Sequence, residues 1–338
     1  VSRQTVRRAL EELVKENIVE SRRGSGSYIC EDAGMLLGNT ERRADHEEKR
    51  IAVMLTYIDT YIFPIIVREI EKKVTQAGGI LQIAMTDNSV AKERMHLEEF
   101  LRTRRIDGLI AEPVKSGLPN PNLDLYQKLQ KSGIPVVFVN SFYENLTIPH
   151  VSLDDEKAGY LATKHLLECG HTRIAGIFKA DDIQGQNRHR GYVQALQEAG
   201  MLYDPDKVIW FHTEDRKVHP REGILRLLAK GISLDAVVCY NDQIAMQIIP
   251  ALASRGIRVP EDISVTGYDN SCMAMGDGFH LTTIVHPQEK LGEMAAQLLL
   301  SLLRGETLQP EQSKILIQPE LVVGNSCCGI FTSKYTTC

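Results

Sequence analysis

The sequence predicts an α/β fold, two lobes of doubly wound parallel sheet, behind a short basic helix-and-hairpin head. Three observations carry that expectation. From Ile51 onward, continuous apolar runs alternate with amphipathic stretches of helical period, the texture of parallel strands covered on both faces. The alternation restarts after Asp155, so residues 51–325 read as two sheets rather than one oversized core. Residues 1–30 follow another rule, with six Lys/Arg against four Glu in a 338-residue chain of net charge −5. A basic head on an acidic body suits site-specific DNA contact and opposes indiscriminate adhesion.

The head comes first. Val6, Ala9, Leu10, Leu13 and Val14 form one apolar stripe at helical spacing, and Ser2 is a natural N-cap. The first turns then present Ser2, Arg3, Gln4, Thr5 and Arg7. Short hydroxyls, an amide and guanidiniums suit phosphates and guanine edges. Alone, such a helix would be an ordinary surface helix, but a hairpin follows it. Ile18–Ser21 and Ser27–Cys30 read as strands around the glycine turn Arg22-Arg23-Gly24-Ser25-Gly26. Arg22, Arg23 and Gly24 would then form a basic wing beside the helix.

The pattern V-S-R-x-T-V-R-x-A-L-x-x-L, followed by G-x-G-S-Y-I, resembles the DNA-reading end of GntR-type regulators. The resemblance implies a winged helix-turn-helix that contacts double-stranded operator DNA. In that family two further helices come before this one, so the sequence reads as opening inside a truncated head.

Residues 31–50 are charged and aperiodic and read as a linker. Strands are expected at Ile51–Leu55, Ile80–Ala84, Gly108–Ala111 and Pro135–Val139, with helices near Pro64–Gln76, Ala91–Arg102 and Leu123–Lys131 between them. The second series has strands at Arg173–Phe178, Val208–Phe211, Ala236–Cys239, Ile263–Thr266 and Thr282–Val285. Its helices fall near Asp155–Glu168, Arg188–Ala199, Glu222–Ala229, Asp242–Ala253 and Pro287–Leu303. A short β end at Lys314–Val323 closes it. The lobes are expected to span about 51–170 plus 286–313, and 171–285 plus 314–325, with a tail at 326–338. Ligands of such sheets bind at the carboxyl ends of strands.

Other chemistries fare poorly. Asp154-Asp155 and Asp181-Asp182 are sequence neighbours whose side chains diverge, so neither pair flanks a substrate. Gly24-Ser25-Gly26 lacks the third glycine and strand–helix setting of a dinucleotide loop. His165 and Cys169 lie one helical turn apart without a third ligand nearby, which favours packing over metal. No enzyme activity, metal or cofactor is expected. Seven cysteines without a C-x-x-C, no signal peptide and no membrane-spanning apolar run point to a reduced, cytoplasmic protein.

The runs VSLDDEKAGYLATKHLLECGHTRIAGIF, RHRGYVQAL, CYNDQIAMQ, VPEDISVTGYDN and LTTIVHPQEKLGE resemble the effector domain of the LacI/GalR family. That domain is a two-lobed, periplasmic-binding-protein-like (type I) sugar receptor. TYIDTYIFP, GLIAEPVKS and GIFKADDIQG are similar to its arabinose-repressor branch, which joins a GntR-type head to this body. The resemblance implies a homodimeric, ligand-responsive repressor of carbohydrate-utilisation genes. L-arabinose in the inter-lobe cleft would release the operator. A regulator for another pentose or hexose, or a sugar receptor without DNA function, are the alternatives.

The cleft residues so implied are Tyr57, Tyr61, Glu112, Lys115, Asp155, Arg188, Asn241, Asp269 and His286. A sugar needs charged partners for its hydroxyls and aromatic surface for its apolar face, and this set supplies both. Most have a plainer reading. Asp155 and Asp242 could be helix N-caps, and Asn241 could hold loop backbone. Tyr57 and Tyr61 could be core aromatics, Lys115 a solvated cation, Arg188 a helix-start residue and His286 a hinge residue.

Overall fold

A computed structural model of the chain describes residues 3–15, 19–22, 26–30, 48–59, 61–271 and 278–329. The expectations for Ser2, Ile18, Arg23, Gly24 and Ser25, for residues 31–47 of the linker, and for 330–338 of the tail lie outside the described residues.

In the head, helix α1 (Arg3–Lys15) precedes strands β1 (Val19–Arg22) and β2 (Gly26–Ile29), paired antiparallel with Val19 opposite Ile29 and Arg22 opposite Gly26. Leu10 and Leu13 of the apolar stripe pack with Cys30 on Val19.

The first lobe opens with β3 (Arg50–Leu55), α2 (Phe63–Gln76), β4 (Ile80–Met85) and α3 (Val90–Thr103). It continues through β5 (Gly108–Ala111), α4 (Leu123–Lys131), β6 (Val136–Val139) and β7 (His150–Leu153). The chain then crosses to α5 (Asp155–Glu168), β8 (Ile174–Lys179), α6 (Ile183–Glu198) and β9 (Val208–Phe211). The second lobe goes on with α7 (His219–Ala229), β10 (Ala236–Cys239), α8 (Asp242–Ala253), β11 (Ser264–Asp269) and β12 (Thr282–Val285). Helix α9 (Gln288–Leu303) returns to pack on α2, β5 and β6 of the first lobe. A short helix, α10 (Pro310–Ser313), leads into β13 (Lys314–Ile317), and β14 (Leu321–Val322) follows.

The first sheet has strand order β13-β7-β6-β5-β3-β4, all parallel. The second runs β14-β12-β11-β10-β8-β9, parallel except for β14. Strands β5, β6, β7, β8 and β10 are buried along their whole length, as helices on both faces require.

The lobe boundaries differ from expectation in two places. Helix α5 belongs to the second lobe, not the first. Gly159 and Gly191 let it touch α6 backbone to backbone: a Cβ on Gly159 would sit 2.0 Å from Arg188 O, and one on Gly191 1.9 Å from Glu156 O. The expected β end at 314–323 is two strands, one in each sheet. Residues 314–317 extend the first sheet beside β7, where Asp154 N donates to Ile317 O at 3.0 Å, and 321–322 lie antiparallel to β12. Residues 318–320 are therefore a third inter-lobe crossing.

Strand β7 was not among the expected strands, because His150 and Ser152 break its apolar run although both are buried. Strand β11 runs three residues past Thr266, and α6 starts five residues before Arg188. Both extensions carry side chains toward the cleft. Among the described residues, no helix is long and apolar enough to cross a membrane.

Candidate functional site

The carboxyl ends of the two sheets face each other across a cavity of about 390 Å³. Tyr57, Tyr61, Glu112, Arg188, Asn241, Asp269 and His286 line it, so seven of the nine expected residues converge there.

Arg188 is the most constrained of them. It projects from α6, where Nε donates to Asp155 Oδ1 at 2.8 Å and Nη1 to Tyr240 O at 2.7 Å. Its guanidinium carbon lies 3.3 Å from the centroid of the Tyr268 ring and 4.7 Å from that of Tyr240. Burial works against the charge, but Tyr268 and Asp155 outweigh it, so the guanidinium is held protonated. Asp155 does not line the cavity. It stands behind Arg188 and also accepts from the Tyr268 hydroxyl at 2.9 Å. Nor does it cap α5: Asp154 does, accepting from Lys157 N at 3.0 Å. Asp155 is the orienting anion of the arginine rather than a cleft residue.

The same one-residue exchange occurs at α8. Asn241 is the N-cap, accepting from Ile244 N at 3.1 Å, and it also faces the cavity. Asp242 caps nothing; its buried carboxylate takes the Thr283 hydroxyl at 2.7 Å and the Ser271 amide at 2.7 Å. Those bonds brace the end of β11, where Asp269 adopts φ 105°. Burial, opposed by Arg188 and reinforced by Asp242, pushes the Asp269 carboxyl up to about 8. The Tyr61 hydroxyl reaches across the cleft and donates to that carboxyl.

On the first lobe, Glu112 Oε2 accepts from Thr56 N at 3.0 Å and from its hydroxyl, and Oε1 accepts from Asn140 Nδ2 at 2.6 Å. Because Asn140 donates through Nδ2, its Oδ1 must accept from His286 Nε2, 2.9 Å away. That fixes the tautomer of His286 and leaves Nδ1 as a buried acceptor with no protein donor among the described residues. Burial, helped by Arg188, lowers the imidazole to about 3, so it is neutral. Tyr57 offers ring surface at the rim, edge-on to Phe63 at 5.7 Å, with the Arg216 guanidinium 5.4 Å over its face.

Lys115 is not drawn into the cavity lining. Its ammonium pairs across the lobes with Glu214 and lies 3.9 Å from Asp181. Sequence reasoning missed Asn140 and Lys179, both lining residues. Each is a polar residue closing an apolar strand run (VVFVN and IAGIFK), so strand-exit position was the available signal. Lys179 is buried against Asp182 at 2.5 Å. Among the described residues, no group of three or more His, Cys, Asp or Glu could hold a metal ion.

Comparison with known proteins fits this geometry. The family model of bacterial regulatory proteins of the gntR family matches residues 1–29, and that of a periplasmic binding protein-like domain matches 163–327. The arabinose metabolism transcriptional repressor of Halalkalibacterium halodurans is 39% identical over 96% of this chain and 87% of its own length. Its namesake from Geobacillus stearothermophilus is 37% identical over 96% and 87%. Among solved structures, the transcription regulator CcpA of Lactococcus lactis superposes with a TM-score of 0.73 at 27% identity, covering 83% of this chain and 99% of that one. A complex of the transcriptional regulator CelR with cellobiose gives 0.71 at 25%, covering 96% and 91%. The chain belongs to the family of arabinose metabolism transcriptional repressors, ligand-responsive regulators that join a gntR-type head to a periplasmic-binding-protein-like body of the LacI/GalR type.

Proposed function

We propose that the cleft binds L-arabinose and that this binding releases operator DNA from the head of a cytoplasmic homodimer. One observation carries the reading. A cavity between two lobes presents a clamped cation, Arg188, a carboxyl, Asp269, an orphan acceptor, His286 Nδ1, and an aromatic rim at Tyr57. A polyhydroxylated ring with an apolar face uses all four.

In this reading Arg188 donates to sugar oxygens, while Asp269, Asn241 and His286 accept from its hydroxyls, and Glu112 with Asn140 orients His286. Asp155 positions Arg188. In the head, Ser2, Arg3, Gln4, Thr5 and Arg7 meet the major groove, and Arg22, Arg23 and Gly24 the neighbouring backbone. In this reading the chain acts by binding, and the Thr56 and Tyr61 hydroxyls serve to orient Glu112 and Asp269.

The test is calorimetric titration of the full chain with L-arabinose, D-xylose, D-ribose, D-galactose and D-glucose. Saturable heat with L-arabinose at the lowest concentration supports the assignment. Preference for another sugar of the panel transfers the effector role to it, and no heat with any of them overturns the cleft as a sugar site.

A further inference from the structure

Away from the sugar-binding groups, the two lobes are already joined along a seam. Loop 113–118 of the first lobe meets the turn into α6 of the second. Gly117 N donates to Asp181 O at 3.1 Å, Ile183 N to Ser116 Oγ at 3.1 Å, and Gln186 Nε2 to Gly117 O at 2.7 Å. Asn88 adds a stitch, donating through Nδ2 to Thr213 Oγ1 at 2.6 Å while its Oδ1 accepts from Lys115 N at 2.8 Å. Ser116, Gly117, Ile183 and Gln186 do not line the cavity.

The loop is held rigidly from behind. Glu93 is fully buried, and its carboxylate takes Tyr126 OH at 2.7 Å, Tyr143 OH at 2.8 Å and the side-chain amides of Asn120 and Asn122, each at 2.9 Å. It also accepts from Val114 N at 3.3 Å. A loop anchored this way at both ends cannot retreat from the facing lobe. Contact therefore depends on Gly117 having no side chain. A Cβ there would lie 2.7 Å from Gln186 Nε2, 2.9 Å from Asp182 C and 3.0 Å from Asp182 O. Two of those three atoms are backbone of the other lobe. Gly117 does not occupy the left-handed region, so an alanine is wedged between lobes without straining its own loop.

We propose that the Gly117 seam, backed by Glu93 and built outside the cavity lining, is a latch that sets how much of the protein is closed and thereby tunes effector affinity without touching the effector. The inference rests on the cleft being the effector site. Apparent affinity for a ligand of the closed state scales with the closed fraction. Gly117 and Glu93 are positioning residues in this scheme.

The experiment uses the full chain. Amide hydrogen exchange is followed without sugar on peptides covering 115–118 and 181–186, and L-arabinose is titrated into wild type, Gly117→Ala and Ser116→Ala. Wild type should protect the Gly117 and Ile183 amides in the absence of sugar. Gly117→Ala should lose that protection, keep protection across Ile51–Leu55 and its melting temperature, and bind arabinose about tenfold more weakly, within the usual range of conformational coupling. Ser116→Ala, which removes one acceptor and adds no bulk, should lose protection at Ile183 and weaken binding less. Unprotected seam amides in the wild type, or a Gly117→Ala protein with wild-type protection and affinity, would overturn the latch. If Gly117→Ala does not fold, Ser116→Ala with wild-type protection at Ile183 and unchanged affinity would do the same. If the wild type binds no sugar, the effector reading fails while the exchange arm still decides the latch.

Discussion

Arg188 Nε donates to Asp155 Oδ1 at 2.8 Å, with both side chains more than nine-tenths buried. The pair sits where α5 and α6 touch and joins two helices of one lobe directly behind the cavity. Breaking a buried pair by removing one partner leaves an uncompensated charge, at about 3–5 kcal/mol. Asp155→Ala is therefore expected to lower unfolding free energy by that order and to weaken effector binding, although Asp155 never faces the cavity. Urea unfolding and calorimetry on the same preparation check it. A variant with wild-type affinity would show that Arg188 needs no orienting anion.

The helix contact that carries this pair has its own prediction. Gly191→Ala would place a methyl 1.9 Å from Glu156 O, a collision with backbone rather than with a yielding side chain. Overpacking of this kind costs about 1–3 kcal/mol, occasionally more. The helices must separate, and Arg188 moves with α6. Thermal unfolding should show the loss, and effector affinity should fall with it. Gly200→Ala is the contrast: past the end of α6 a Cβ meets nothing within 4 Å, so the cost is the left-handed backbone at φ 71° alone, about 1–2 kcal/mol, and effector affinity should stay unchanged.

Asp269 and His286 give opposite pH signatures. Burial holds the Asp269 carboxyl at about 8 against an ordinary 3.8, so the folded protein retains a proton that the unfolded chain has released. Its stabilising contribution is full below pH 3.8 and is lost as pH rises through about 8. His286, lowered to about 3 from 6.5, contributes above pH 6.5 and loses that contribution as pH falls toward 3. Asp269→Asn should flatten the decline of unfolding free energy between pH 4 and 8. Effector affinity in the wild type should rise over the same window, as the carboxylate that accepts sugar hydroxyls becomes available. Identical slopes in wild type and variant would remove Asp269 from that role.

Much of this was legible in the sequence. Strand exits from apolar runs located Glu112 and Asn241, and the runs RHRGY and GYDN located Arg188 and Asp269. The plainer capping readings of Asp155 and Asp242 fall one residue off, since Asp154 and Asn241 are the caps. Adjacent polar residues at a helix start look alike in sequence. What separates them is backbone: Asp154 and Asn241 lie outside the helix and turn back to its amides, while Asp155 and Asp242 are the first helical residues and point elsewhere. The partner of Asp155 lies thirty-three positions away and that of Asp242 forty-one, beyond any local pattern. Lys115 was misplaced for the same reason, since Glu214 comes beside it only once the lobes meet.

Salt should separate the two binding functions. Contacts from the head to phosphates release counterions, so operator affinity is expected to fall steeply and linearly on a log–log salt plot. Sugar binding through uncharged hydroxyls should stay nearly flat from 50 to 300 mM salt, roughly the range over which phosphate contacts lose several decades of affinity. Fluorescence anisotropy for DNA and calorimetry for sugar give the two slopes. A steep sugar slope would point to a charged effector.

Reciprocal titration decides whether the cleft governs the head. Operator duplex, selected by the protein from a random pool, is titrated with and without saturating L-arabinose, and L-arabinose with and without operator. Linkage requires equal factors in the two directions, and coupling of about 1–3 kcal/mol makes each about 5–150-fold. Arabinose is expected to weaken operator binding by such a factor, and operator to weaken arabinose binding by the same one. Operator and arabinose each binding with the same affinity whether or not the other is present would contradict it.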